Sequence, residues 1–250
     1  MDATNSLKLR CFQHCRKDTD LVCFRLPERC PLCGEDTAMT PCRIPPYILP
    51  SPFVSSGAAP RSVVVRPTNG TFISHYSSVC DLHIGLTDGS GRVTEFDERG
   101  LTVGSLWSQC LVVLTCPSHQ SSQPAARVSP PSIPSDPPDC GPQTWDLALN
   151  QLAAAQRQGS LWESDRYNEQ TWNCFDLVLF FLTLLKQDHH LAGFDLDLSL
   201  GSEDMRAGFC DRFLVQKCRR AGDFVQLYRR VAAEGCISVT RRPKDVVAQH

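Results

Sequence analysis

Residues 175–185 read FDLVLFFLTLL, and only Asp176 and Thr183 interrupt the apolar run. Wound as an α-helix, this segment is apolar nearly all round. A helix of that kind has to be enclosed by other elements. It is also far short of the roughly 20 residues that a bilayer-spanning helix needs. Asn173, just ahead of it, opens the helix. The helix is therefore predicted from Asn173 to about Lys186, in the middle of a core, with Cys174 in its first turn.

Strands are predicted to supply the enclosure. Over residues 79–87, Leu82, Ile84 and Leu86 alternate with Asp81, His83, Gly85 and Thr87. That is the two-residue period of a strand with one polar face. Asp88-Gly89-Ser90-Gly91 is strong turn chemistry, and residues 92–96 return as the second strand of a hairpin. Residues 62–65 and 71–74 read as short strands, and CLVVLTC at 110–116 as a central one. Helices are expected at 145–156, 203–220 and 223–233, with a last strand at 236–240. Strands and helices grouped in this way predict an α+β fold, an antiparallel sheet packed on the Cys174 helix.

The segments differ in composition. Residues 1–43 form a Cys-rich N-terminal module and 44–60 a Pro-rich linker. Residues 61–250 form the α+β domain, carrying a Pro-, Ser- and Gln-rich insertion at 117–142 that is expected to be disordered. With 42% apolar residues and a net charge of −2, the chain has ordinary globular composition. Nucleic acid is not expected as a partner, because it requires a concentrated basic surface. The late basic residues, from Lys217 through Arg219, Arg220, Arg229 and Arg230 to Arg241, read as solvated helix faces.

Fourteen cysteines raise the question of compartment. The first ten residues lack the apolar stretch of an export signal. An intracellular chain, cytoplasmic or nuclear, with reduced thiols is therefore expected, a few of them binding metal. Cys30-Pro31-Leu32-Cys33-Gly34 has the spacing of a knuckle that grips one structural Zn²⁺. Four ligands are required. The candidate set is Cys15, Cys23, Cys30 and Cys33, with Cys11 and His14 as alternatives upstream.

Cys174 stands apart from the other cysteines because a helix N-terminus stabilises a thiolate. A thiol nucleophile needs a base, and His83 is the candidate. An odd-length hairpin loop centred on Gly89 would set Glu95 directly opposite His83, whereas an even loop would set Phe96 there. The first case makes Cys174, His83 and Glu95 a nucleophile, base and orienter.

CPLCG at 30–34, DLHIGLTDGSGRVTEFDERGL at 81–101 and WESDRYNEQTWNCFDLVLFFL at 162–182 resemble the uncharacterised makorin-two opposite-strand family over nearly the whole chain. That family carries a domain of unknown function, so the likeness implies no activity. The order of a strand histidine followed by Asn-Cys at the start of an apolar helix is similar to circularly permuted papain-like proteins of the NlpC and lecithin retinol acyltransferase type. This second resemblance implies a permuted papain-like fold over residues 79–187. Where the acyltransferase branch carries a second histidine on the returning strand, this chain has Glu95.

Two functions stay open on these residues. One is a non-catalytic interaction protein on a papain-like scaffold, with an unidentified protein partner and Cys174 packed away from solvent. The alternative is a thiol hydrolase or acyltransferase that uses Cys174 and His83 through an acyl-thioester intermediate.

Overall fold

A computed structural model describes residues 8–116, 142–156, 161–187 and 202–241. The strands are β1 (Arg10–Gln13), β2 (Thr19–Cys23), β3 (Ile44–Ile48), β4 (Phe53–Val54), β5 (Ser62–Pro67), β6 (Leu82–Thr87), β7 (Val93–Asp97), β8 (Gly100–Ser105), β9 (Cys110–Thr115) and β10 (Cys236–Thr240). The helices are α1 (Phe72–His75), α2 (Pro142–Gln156), α3 (Cys174–Gln187), α4 (Ser202–Phe209) and α5 (Val215–Glu234). A π-helical turn, Cys210–Leu214, joins the last two. The chain is α+β, and every pairing between these strands is antiparallel. The expected disordered insertion lies outside the described residues, apart from Pro142 at the start of α2. Among the described residues no helix is long and apolar enough to cross a membrane.

The described residues fall into two compact units. The first comprises those up to Pro52, Tyr76–Ser78 and those from Arg220 onward. Its sheet has the order β10-β2-β1-β3. Alternation divides its two faces. Leu9, Cys11, Val22 and Ile237 pack with Phe224, Leu227, Tyr228 and Val231 of α5. Phe12, Leu21 and Cys23 pack with Cys30 and Leu32 of the Cys-rich segment. Pro45 and Pro46 lie in β3 at the sheet edge, where a residue without an N–H is tolerated.

The second unit comprises Phe53–His75 and Val79–Arg219. Its sheet has the order β4-β9-β5-β6-β7-β8, which puts β6 and its histidine in the interior. Phe96 and Leu101 pack on Leu152 of α2 and Leu177 of α3, closed over by Trp162. Burying side chains of this size stabilises by roughly 1.5–3 kcal/mol each. The other face is covered by Ala59, Val93, Trp107 and Cys110 around Val64. The face of β6 that reads as polar is therefore not solvated. Thr87 is fully buried; its hydroxyl accepts from Ser62 N at 2.8 Å and donates to Ala59 O at 2.5 Å.

Three local expectations change. Residues 71–74 are not a strand: Phe72–His75 is a helical turn, started by Gly70 at φ +75° and by Thr71, whose Oγ1 accepts from Ser74 N. The late helices do not divide near Gly222, which lies inside α5. A single glycine costs only about 1 kcal/mol relative to alanine, and Ala221, Val225 and Val231 bury the helix on either side of it. The hairpin loop is odd-length, as one of the two readings required, but it is centred on Ser90 and not Gly89. The register pairs Gly85 with Glu95, Leu86 with Thr94 and Thr87 with Val93. Asp88 sets this loop by accepting from Ser90 N and Arg92 N through Oδ1, while Gly91 takes φ +77°.

Candidate functional site

Cys174 is positioned by its own helix start. Asn173 Oδ1 accepts from Phe175 N at 2.9 Å, and Asp176 Oδ2 accepts from Asn173 N at 2.7 Å. This reciprocal pair is a capping box built with Asn and Asp. Asn173 Nδ2 also donates to Glu169 O, tying the cap to the preceding turn. Arg206 of α4 then clasps the buried Asp176 carboxylate, its Nη2 lying 2.9 and 2.8 Å from the two oxygens. Its Nη1 donates to Gln170 O at 3.0 Å. The first turn of α3 is thus held from the side-chain, backbone and tertiary directions.

His83 stands on β6 with Arg66 of β5 directly opposite. Its Nε2 lies 2.8 Å from Glu95 Oε2. Because Glu95 is opposite Gly85, the two residues meet on the diagonal and not face to face. Gly85 makes this contact feasible. A Cβ there would come within 2.7 Å of Val93 Cγ1 and 3.2 Å of the Trp107 ring. The space a side chain would occupy holds the Trp107 indole. Trp107 Nε1 donates to Glu95 Oε1 at 3.4 Å, and Arg66 lies over the indole ring at 4.7 Å. Arg66 Nη2 is also 3.6 Å from Glu95 Oε2.

Burial opposes a charged imidazole at His83, but the neighbouring Cys174 thiol and Glu95 carboxylate outweigh it and push its pKa up to about 9. Burial likewise opposes the Glu95 carboxylate. His83, Ser105 and the charge of Arg66 reverse that and hold it at about 2. The chemistry available is a thiol beside a charged or charge-ready imidazole, with a permanent carboxylate behind it. Cys174, His83 and Glu95 are 5%, 6% and 3% exposed.

A second cluster lies in the Cys-rich segment. A ring nitrogen of His14 and the sulfurs of Cys15, Cys30 and Cys33 all lie within 4.8 Å of one another, a group that could hold a metal ion. Cys30 and Cys33 sit on a knuckle closed by Gly34 N to Cys30 O at 2.8 Å, with Gly34 at φ +77°. Leu32 N points at Cys30 Sγ from 3.4 Å. Burial works against a thiolate at Cys30, but the amides of Leu32 and Cys33 prevail and lower its pKa. Burial and the adjacent Cys33 and Cys30 sulfurs push Cys15 up to about 11, since neighbouring thiols resist ionising together without a cation.

Cys15, Cys30 and Cys33 of the expected set lie in this cluster, and Cys23 lies outside it. Cys23 ends β2 directly opposite Cys236 of β10 and is fully buried among Phe12 and Leu21. The alternative Cys11 points to the opposite face of the sheet, paired with Tyr47 of β3. His14, adjacent to Cys15 in the turn after β1, takes the fourth place.

The family model described as DUF4796 C-terminal matches residues 46–231, and that described as DUF4796 N-terminal matches residues 9–36. The chain belongs to the DUF4796 family. It is 25% identical to the MKRN2 opposite strand protein of Homo sapiens over 226 residues, covering 90% of this chain and 86% of that one. No solved structure matches it. In this DUF4796 protein the two clusters fall within different matches. His14, Cys15, Cys30 and Cys33 lie inside the N-terminal one, and His83, Glu95 and Cys174 inside the C-terminal one.

Sequence reasoning passed over Arg66, Trp107 and Arg206. The Asn-x-x-Asp spacing at 173–176 signals a cap. Nothing local indicates that the partner of Asp176 comes 30 residues later. Trp107 carries no signal either, because its place beside Glu95 depends on the path after β8.

Proposed function

We propose that this protein is a thiol-dependent acyl hydrolase or acyltransferase on a permuted papain-like scaffold. The reading rests on one observation: a buried imidazole bonded through Nε2 to Glu95 at 2.8 Å and raised in pKa by the thiol at the start of α3. Cys174 Sγ attacks a carbonyl carbon and His83 takes the thiol proton. The tetrahedral intermediate then collapses, the bond to the leaving amine or alcohol breaks, and His83 returns the proton to it. Water or an acceptor nucleophile attacks the thioester, gives its proton to His83, and the thiol is restored. Glu95 holds the imidazole and balances its charge. The substrate class is an amide, an isopeptide or a lipid ester.

The test is labelling of Cys174 by a small thiol-directed electrophile at graded pH, compared with His83→Ala. Fast labelling at neutral pH that slows in the variant supports the reading. Slow labelling that the substitution leaves unchanged overturns it.

The burial of Cys174 favours a second reading. Here the same scaffold is an interaction protein, and the Cys174, His83 and Glu95 constellation is a satisfied polar network of the core. It predicts an inert thiol and a protein partner. In both readings the protein works inside the cell, in cytoplasm or nucleus, and the Cys-rich segment carries one structural Zn²⁺. The staple logic supports the zinc. Residues 24–42 form turns and a single isolated bridge, Arg29 to Asp36, and small turn-rich segments need a metal or a disulfide to order them.

A further inference from the structure

The proposal of one structural zinc leaves its ligands open, and the next step rests on that proposal. We infer that the centre is a Cys₃His site in which Nδ1 of His14, in the Nε2–H tautomer imposed by Thr40, joins Cys15, Cys30 and Cys33.

The distances fit one tetrahedron. With zinc–sulfur bonds of about 2.3 Å, the edge between two sulfurs is about 3.8 Å, and slightly less where one ligand is nitrogen. Cys15 Sγ and Cys30 Sγ are 4.0 Å apart. Cys33 Sγ and His14 Nδ1 are 3.3 Å apart. The knuckle supplies one edge of the polyhedron and the turn between β1 and β2 supplies the other. The ion would therefore join the turn after β1 to the knuckle directly.

The tautomer follows from counting hydroxyl protons. His14 Nε2 lies 2.7 Å from Thr40 Oγ1, a pair in which either atom could donate. The Thr40 hydroxyl has one proton, and that proton is committed to Asp36 O. Thr40 Oγ1 must then accept from His14, so Nε2 carries the ring proton and Nδ1 presents a bare lone pair toward the sulfurs. A neutral imidazole with its outer N–H anchored is the form that binds a metal. The turn holding Thr40 is itself fixed. Asp36 Oδ1 accepts from Ala38 N at 2.8 Å and Met39 N at 3.2 Å, and Asp36 O accepts from Thr40 N at 3.0 Å. Residues 36–40 thus serve as the outer shell of the site.

The experiment uses the full chain, purified reduced and loaded with Zn²⁺ alone. X-ray absorption at the zinc edge should give three sulfurs and one nitrogen, and competition with a chelator should give one ion per chain. Thr40→Val should keep the stoichiometry and lower affinity about 10–100-fold. Cys23→Ser should leave affinity unchanged. If the wild-type chain takes up no zinc, the zinc proposal falls and this assignment with it. If it takes up one zinc in an all-sulfur shell, or loses it in Cys23→Ser and not in His14→Ala, the metal stands and this ligand set is overturned. The spectrum of the unmodified protein decides the matter even where a variant fails to fold.

Discussion

His14 and His83 are equally buried, at 6% exposure each, and each neighbours a cysteine sulfur. What differs is the group on the other ring nitrogen and the number of sulfurs. His14 is backed by a neutral hydroxyl and faces three thiols; His83 is backed by a carboxylate and faces one. A hydroxyl at Nε2 leaves Nδ1 to face the sulfurs, which suits a metal. A carboxylate favours the charged ring, which suits proton transfer beside a thiol. The same pair of residue types is thus directed toward two chemistries by its second neighbours.

The comparison breaks most directly on metal removal. Stripping zinc from the loaded protein should have the largest effect, because the binding energy of a structural site, on the order of 10 kcal/mol, is folding energy. Amide protection should fall across β1, β2 and residues 24–42 while β5, β6 and β7 keep theirs. An equal loss in both units would show that the clusters are not independent. Next in size, His83→Ala should slow the proposed acyl transfer by roughly 10²–10⁴-fold, the usual contribution of a general base. His14→Ala should leave that rate unchanged. A rate equally sensitive to both would end the division of labour.

Gly85→Ala tests the space over which His83 and Glu95 meet. With Val93 at 2.7 Å from the added Cβ, overpacking should cost about 1–3 kcal/mol in a urea melt. A melt unchanged from wild type would mean that the indole has room to move aside. pH dependence tests the same pair through its charges. His83 is raised from about 6.5 to about 9, so its contribution is complete below pH 6.5 and lost as pH rises through 9. Glu95 is lowered to about 2, so its contribution is present above its unfolded value, about 4.3, and lost as pH falls through 2. Glu95→Gln should flatten both limbs of a stability-against-pH curve and move the His83 titration, followed by NMR, down from 9 toward 6.5. A His83 titration that stays at 9 would assign the shift to Cys174 alone.

Much of the second unit was legible because its signals are local. The apolar run at 175–185, the Asn173 cap and the alternation over 82–87 each report on residues a few positions apart, and the structure has them as α3 and β6. The polar face of β6 was legible as a pattern but not as an environment. Period two says that His83, Gly85 and Thr87 share a face; only the packing of Val64, Val93 and Trp107 makes that face buried. The hairpin illustrates the same limit. Side-chain parity put His83 and Glu95 together, yet the loop centre decided that they meet diagonally across a glycine.

In the first unit the knuckle could be read from its spacing, and its partners could not. Cys11, His14, Cys15 and Cys23 are all near enough in sequence to reach it. Strand alternation sends Cys11 to the α5 face, and pairing with β10 gives Cys23 to Cys236. By itself, the sequence determined the central helix with its thiol at the first turn, the β6–β7 hairpin and the knuckle. Those depend on neighbours along the chain. Tertiary structure alone decided that Arg206 would hold Asp176, that Trp107 would fill the space over Gly85, and that His14 in place of Cys23 would join the knuckle. Each of those is a contact between distant segments, fixed by how whole faces pack, and no residue within it announces its partner.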